Sequence, residues 1–204
     1  MTPPFANNID TPRLILTNDS TPADLPFLFD LLKGMLGLSD AKSQSQSYNT
    51  DTVVEFLREK EKKSKEAQPH GPGYAHYIVR LRQEGNDDSP GIAIGSVAVF
   101  CRQADMPTEL GYGLLGPYHG KGYGTEAVSA VLRHLRQDLG VAEVCALIRP
   151  TNVRSRRLAG KLGLEENGSI KMLGQPGLSS GGVAEYCVFL LPHMERLTAD
   201  TTWY

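Results

Sequence analysis

The sequence predicts a mixed α/β domain built on a partly antiparallel sheet, and three observations carry that reading. Strand-like and helix-like segments follow in the order β, α, α, β, β, β, α, β, α, β, β, with no internal repeat and no linker to split the chain. The apolar segments 75–83 and 92–101 are joined by a loop of turn formers, EGNDDSPG, which makes them a hairpin. Segment 142–148 (AEVCALI) is a continuous apolar run of the kind buried on both faces, with a helical segment before and after it. At 204 residues one domain is expected, long enough to bury roughly 70% of its unfolded surface.

Residues 13–17 (RLILT) read as the first strand. Thr21-Pro22-Ala23-Asp24 then starts a helix: Thr caps, Pro suits the first helical position, and Asp favours the positive helix end. Leu25, Leu28, Phe29, Leu31 and Leu32 supply its apolar face. Residues 34–50 carry Gly, Ser and Gln and read as a loop. Thr52 and Glu55 form a capping box for the next helix, which ends in a charge run, REKEKKSKE, read as a solvated face. Residues 108–115 (TELGYGLL) read as a strand. Residues 125–139 carry Ala127, Val128, Val131, Leu132, Leu135 and Leu139 at helical spacing, with Gly140 as the stop. Asn152 opens a helix through Leu162, closed by Gly163. Residues 169–173 and 183–191 are the last strands, around the loop GQPGLSSGG.

Composition narrows the function classes. A formal net charge of −2 lacks the footprint of a dedicated nucleic-acid binder. No run of 18 apolar residues argues for a membrane span, and the N-terminus does not resemble a secretory signal, so a cytoplasmic protein is expected. Cys101, Cys145 and Cys187 are far apart in apolar runs and read as reduced core residues, and no metal site is expected.

The densest punctuation is GYGLLGPYHGKGYG at 111–124. Gly111, Gly113 and Gly116 match G-x-G-x-x-G, but Pro117 follows and the helix begins only later, which disfavours a dinucleotide fold. Gly120-Lys121 hints at a Walker loop, but Leu115 stands where that loop needs Gly and Gly122 where it needs Ser or Thr. The third arrangement is His119-Gly120-Lys121-Gly122-Tyr123-Gly124-Thr125-Glu126, between an apolar strand and an amphipathic helix. Successive glycines let backbone N–H groups converge, and the helix start adds free amides and partial positive charge. This is a cradle for a diphosphate that is held and not hydrolysed. The competing reading is a glycine-rich turn with Thr125 as helix cap. Asn152 and Ser155, at the start of the next strand-following helix, add a second junction, with plain capping as its competing reading.

These residues together resemble the GNAT superfamily of N-acetyltransferases, in particular its RimJ/RimL-like branch of ribosomal-protein N-terminal acetyltransferases. The resemblance rests on Thr11-Pro12-Arg13-Leu14-Ile15-Leu16, Glu109-Leu110-Gly111-Tyr112, Gly120-Lys121-Gly122-Tyr123-Gly124-Thr125-Glu126-Ala127, and Asn152-x-x-Ser155 followed by Lys161-Leu162-Gly163-Leu164. It covers roughly residues 11–191. It implies a mostly antiparallel sheet of six or seven strands, splayed between the fourth and fifth, with helices on both faces. It also implies acetyl-CoA as cosubstrate and an amine acceptor, a protein N-terminus or a small amine, in a monomer or homodimer. The pantetheine arm would pair with backbone of Gly113, Leu114 and Leu115. The pyrophosphate would sit on amides from Gly120 to Thr125, with His119 also donating. Loops 34–50 and 174–182 would flank the acceptor.

Acetyl transfer to an amine needs positioning, removal of the amine's proton, and stabilisation of the oxyanion and thiolate. Within the resemblance, Glu109 is the candidate base, a backbone N–H beside Leu114 the oxyanion donor, and Ser155 the donor to the departing sulfur. Three positions depart from the family pattern. His119 stands where relatives often carry Gln or Arg, Ala159 where many carry a tyrosine acid, and Gly160 where many carry Glu. The missing tyrosine motivates a second reading, a non-catalytic acyl-CoA binder or sensor. A third is an interaction module whose glycines are only turns.

Overall fold

The structure is a computed structural model, which describes residues 5–18, 21–36, 50–67, 72–83, 85, 89–102, 106–173 and 183–194. Its strands are β1 (Asn8–Asp10), β2 (Leu14–Thr17), β3 (Ala75–Leu81), β4 (Ile92–Phe100), β5 (Thr108–Leu114), β6 (Val144–Ile148), β7 (Glu165–Leu173) and β8 (Val183–Leu190). The helices are α1 (Leu25–Leu36), α2 (Thr50–Ala67), α3 (Tyr123–Arg133) and α4 (Val153–Lys161). All eight strands join one sheet in the order β1-β2-β3-β4-β5-β6-β8-β7. Every neighbouring pair is antiparallel except β5 and β6. The sheet is one strand larger than expected because β1, only three residues, pairs with β2 through Ile9 opposite Leu16.

Helices cover both faces. Tyr77 and Val79 of β3 pack with Ala127, Val128 and Val131 of α3. Ile78, between them, points to the other face and packs with Leu28 of α1 and Val53 of α2. Thr21 and Asp24 enclose a short 3-10 turn that leads into α1: Asp24 Oδ2 accepts from Thr21 N–H at 2.9 Å. Asp24 Oδ1 accepts from Arg80 at 2.6 Å. Helix α2 begins at Thr50, so the Thr52–Glu55 pair lies inside it rather than at its cap. Beyond Arg133 the chain turns π-helical over His134–Asp138. There His134 Nε2 accepts from Ala6 N–H at 3.1 Å, tying the N-terminal segment to the core.

Cys101, Cys145 and Cys187 are buried, in keeping with the apolar runs that hold them. Segment 183–191, the last strand in sequence, is not an edge of the sheet. β8 lies between β6 and β7, and the outer edges are β1 and β7. The candidate acceptor loops fall outside the described residues at 37–49 and 174–182.

Candidate active site

Strands β5 and β6 pair only at Thr108 opposite Val144 and Glu109 opposite Cys145, and from there they part. β5 stays paired with β4 along its length. Leu115 N–H donates to Ile94 O of β4 at 2.9 Å, whereas Thr108 N–H donates the other way, to Glu143 O at 3.2 Å. Backbone groups alternate along a strand, so odd-numbered residues turn to β4 and even-numbered ones to the wedge. Of the three residues expected to pair with an extended arm, only Leu114 faces the wedge. Gly113 directs its backbone groups to β4, as does the Leu115 N–H, while the Leu115 carbonyl accepts from Tyr118 N–H at 3.0 Å; Tyr112 is the neighbour that faces the wedge with Leu114. The fourth-and-fifth-strand splay of the sequence reading is this wedge, renumbered by β1.

The glycine cluster closes one end of the wedge. Gly120 and Gly122 have φ of 76° and 84°, and Gly122 caps α3. The first backbone bond into the helix is Glu126 N–H to Gly122 O at 3.0 Å. Among the described residues no acceptor meets the amides of Gly120, Lys121, Gly122, Tyr123, Gly124 or Thr125. Left-handed glycines on either side of Lys121 are the backbone pattern from which anion nests are built. Thr125 lies in the first turn and is not the cap. Gly124 has a different duty: a Cβ there would stand 2.8 Å from Leu158 Cδ1, so α4 packs where a side chain would be.

A latch that sequence reading missed holds this loop. Glu126 Oε1 accepts from the Thr11 hydroxyl at 2.6 Å and from Arg13 N–H at 3.0 Å, while Oε2 accepts from Arg13 Nε at 2.7 Å. Arg13 Nη1 donates to Lys121 O at 3.1 Å, and the guanidinium lies 4.7 Å from the Tyr123 ring centroid. Burial alone would raise the Glu126 carboxyl, but the bonds from Thr11 and Arg13 outweigh it and hold it below its ordinary range. Thr11, Arg13 and Glu126 all belong to the motifs that carry the resemblance, which was the available signal.

Across the wedge, Asn152 caps α4 by accepting from Ser155 N–H at 3.1 Å. The Tyr112 hydroxyl donates to Ser155 O at 3.1 Å, bridging β5 and α4, and burial pushes its phenol up so that it keeps its proton. The Ser155 hydroxyl has no hydrogen-bond partner among the described residues. His119 Nε2 meets Leu114 O at 2.8 Å, and Arg154 Nη1 meets His119 Nδ1 at 3.2 Å. A carbonyl only accepts and a guanidinium only donates, so both contacts are satisfied by a neutral imidazole protonated on Nε2. His119 therefore braces the strand end, and its ring nitrogens are not directed at the cradle. Of the basic side chains on α4, Arg156 is committed to Glu166 at 2.6 Å, and Arg157 and Lys161 are exposed.

The opposite face of β5 carries Glu109, Gly111 and Gly113. Glu109 is buried, and both its oxygens accept from the Arg102 guanidinium, through Nε to Oε2 and through Nη2 to Oε1 at 3.0 Å. Phe100, opposite Glu109 on β4, has the Arg102 guanidinium 5.1 Å and Lys60 Nζ 4.3 Å from its ring centroid. Lys60 lies within the charge run read as solvated. That reading holds for its neighbours, which pair along the exposed helix as Glu59–Lys63 and Glu61–Lys65. Val53, Leu57, Lys60 and Ser64 share the inward face of α2 instead, and Ser64 is fully buried.

The unpaired amides, the left-handed glycines and the cations of Lys121 and Arg154 fit a diphosphate, and the wedge fits an extended, amide-bearing arm. A family model described as an acetyltransferase (GNAT) domain matches residues 13–165. The uncharacterized N-acetyltransferase YnaD of Bacillus subtilis (strain 168) is 27% identical over 78 residues, 38% of this chain and 46% of that protein. The alignment thus spans less than half of this curated relative. In fold, the chain is similar to a putative ribosomal-protein-serine acetyltransferase from Vibrio cholerae, with a TM-score of 0.63 at 22% identity over 94% of this chain and 99% of that one. It is also similar to the microcin C7 self-immunity acetyltransferase MccE, solved with acetyl-CoA and AMP, with a TM-score of 0.61 at 14% identity over 88% and 92% of the two chains. The family match takes in the wedge, the glycine cradle and both ends of the Arg13–Glu126 latch, and the chain belongs to the GNAT acetyltransferase family.

Proposed function

We propose that the protein moves an acetyl group from acetyl-CoA to a primary amine by direct attack in a ternary complex. The run of unpaired amides from Gly120 to Thr125, at the end of the splayed strand, carries this reading. It is supported by the family match and by the similar fold of an acetyltransferase solved with acetyl-CoA. The likeness to a ribosomal-protein-serine acetyltransferase favours a protein or peptide N-terminus as acceptor, with a small amine as the other class.

Bound acetyl-CoA supplies an activated acetyl thioester. The chain's own residues hold it, exclude water and manage protons. The amides of Gly120 to Thr125, with Lys121 and Arg154, take the diphosphate. Leu114 N–H faces the wedge and is the donor for the developing oxyanion. The Ser155 hydroxyl donates to the departing sulfur. Glu109 takes the amine's proton through a water, since Arg102 already occupies one bonding direction on each carboxylate oxygen.

That engagement of Glu109, with Ala159 at the position of the family's tyrosine acid, favours the second reading of a non-catalytic acyl-CoA binder. Calorimetric titration with acetyl-CoA, desulfo-CoA and ADP tests the cradle. Binding that tracks the diphosphate, and is lost in Gly122→Glu, is expected; undiminished affinity in that variant overturns the assignment. Thiol release across an amine panel separates the two readings, because a binder releases none above the uncatalysed rate.

A further inference from the structure

We propose that Lys60 is a specificity-determining residue that takes a carboxylate of the acceptor, so that the acceptor is an amine bearing an acidic group. This rests on the acetyl-transfer reading of the wedge.

The argument starts from position. Glu109 is the last residue of β5 that pairs with β6, so its side chain marks the vertex where the strands part. Phe100 stands opposite it on β4, and Lys60 and Arg102 both lie over the Phe100 ring. Next along the same face comes Gly111, where the nearest atoms to a Cβ would be Phe100 Cε1 at 3.3 Å, Ala98 Cβ at 3.9 Å and Phe100 Cζ at 4.0 Å. Gly113 follows. With glycine at both positions, the strand carries no side chain on this face between vertex and cradle, and an amine held there is beside the wedge.

Charge supplies the rest. The cluster holds two cations and one carboxylate, and both oxygens of that carboxylate are taken by Arg102. Among the described residues, Lys60 Nζ meets only aromatic faces. A ring face is a weak substitute for a counter-ion, and a cation withdrawn from water without one is destabilised. Burial, and then the nearby Arg102, push the Lys60 ammonium down to about 7. One monoanion neutralises the cluster; a phosphate dianion overshoots it. Lysine offers a compact point charge, suited to a carboxylate held beside the two glycines.

The test is thiol release from acetyl-CoA with matched acceptors. Serine against serinamide asks for the α-carboxylate of a free amino acid. Ser-Glu-amide against Ser-Gln-amide asks for an acidic side chain behind a peptide N-terminus. In at least one pair the carboxylate member is expected to lead by about tenfold or more in kcat/KM. Lys60→Met brings that ratio to about one, and Lys60→Arg, which keeps the charge, restores it. Equal rates within both pairs, or a preference that survives Lys60→Met, overturn the proposal. Where turnover is too slow, titrating the CoA-loaded protein with the N-acetylated members of both pairs reads the same preference, and equal affinities within both pairs overturn it. Acetyl-CoA affinity is measured alongside in each variant. Its absence in the unmodified protein sinks the acetyltransferase reading, whereas transfer without carboxylate preference sinks only the role of Lys60.

Discussion

Arg13 lies just before β2 and Glu126 in the first turn of α3, yet Arg13 Nε and Nη2 both meet Glu126 Oε2 while Nη1 grips the carbonyl of Lys121. The Arg13 side chain is 49% exposed, which discounts the strength of the pair. Arg13→Ala is expected to weaken acetyl-CoA binding about fivefold, the effect of about 1 kcal/mol of lost loop order, with kcat nearly unchanged. Arg13→Lys recovers only part, because an ammonium cannot span Glu126 and Lys121 O together. Steady-state kinetics with acetyl-CoA as the varied substrate check both. Asp24 gives a pH signature. Burial alone would raise its carboxyl, but bonds from Thr21 and Arg80 outweigh this and hold it below its ordinary 3.8. A lowered folded value means that its stabilisation is complete above the ordinary value and disappears as pH falls through the folded one. Asp24→Asn is expected to cost about 3 kcal/mol at pH 7, because Arg80 loses a buried partner. The variant's stability also falls less steeply as pH drops below the ordinary carboxyl value, which denaturant unfolding in acid measures. At this scale the sequence showed the glycines and Asn152, whose duties are set by local backbone geometry. It did not show Lys60 against Phe100 or Arg102 against Glu109. Those contacts join residues from different elements, and the surrounding charge run masked the inward spacing of Val53, Leu57, Lys60 and Ser64.

Strand β4 carries an extra residue at Ile94, where its register with β3 shifts between Gly95 and Ala93. Gly95 follows that bulge, and a Cβ there would stand 2.4 Å from Gly113 O on the wedge strand. Backbone cannot swing aside as a side-chain end can. Gly95→Ala is expected to destabilise by about 1–3 kcal/mol, a Tm fall of roughly 3–10 °C. Differential scanning calorimetry reads it, and an unchanged Tm removes the claimed close approach. Element types were legible wherever a period ran long enough: the hairpin of β3 and β4, the apolar stripe of α3, the continuous run of β6. β1 was not, because Asn8-Ile9-Asp10 shows one apolar residue between two polar ones and becomes a strand only by pairing with β2. Nor was the interior place of β8, since spatial strand order is a long-range property that hydrophobic period does not encode.

At the scale of the whole molecule, the sheet is two antiparallel halves, β1 to β5 and β6 to β8, sharing a two-residue parallel seam and the helices laid across it. Filling the wedge therefore connects parts that are otherwise weakly joined. Acetyl-CoA at about one hundred times its Kd is expected to stabilise the fold by about 2.7 kcal/mol. For a chain of this length that is a Tm rise of roughly 5–10 °C. ADP reaches the cradle alone and gives a smaller rise, and equal rises for both place no binding energy in the wedge. The alternation along β5 has a further consequence, in the time domain. Gly111, Gly113 and Leu115 have amides locked to β4, while those of Tyr112 and Leu114 open onto the wedge. Deuterium will enter this strand residue by residue in a fast–slow alternation, in the middle of a sheet where uniform protection is the rule. An extended ligand that pairs with the open amides will erase the alternation and leave the slow members unchanged.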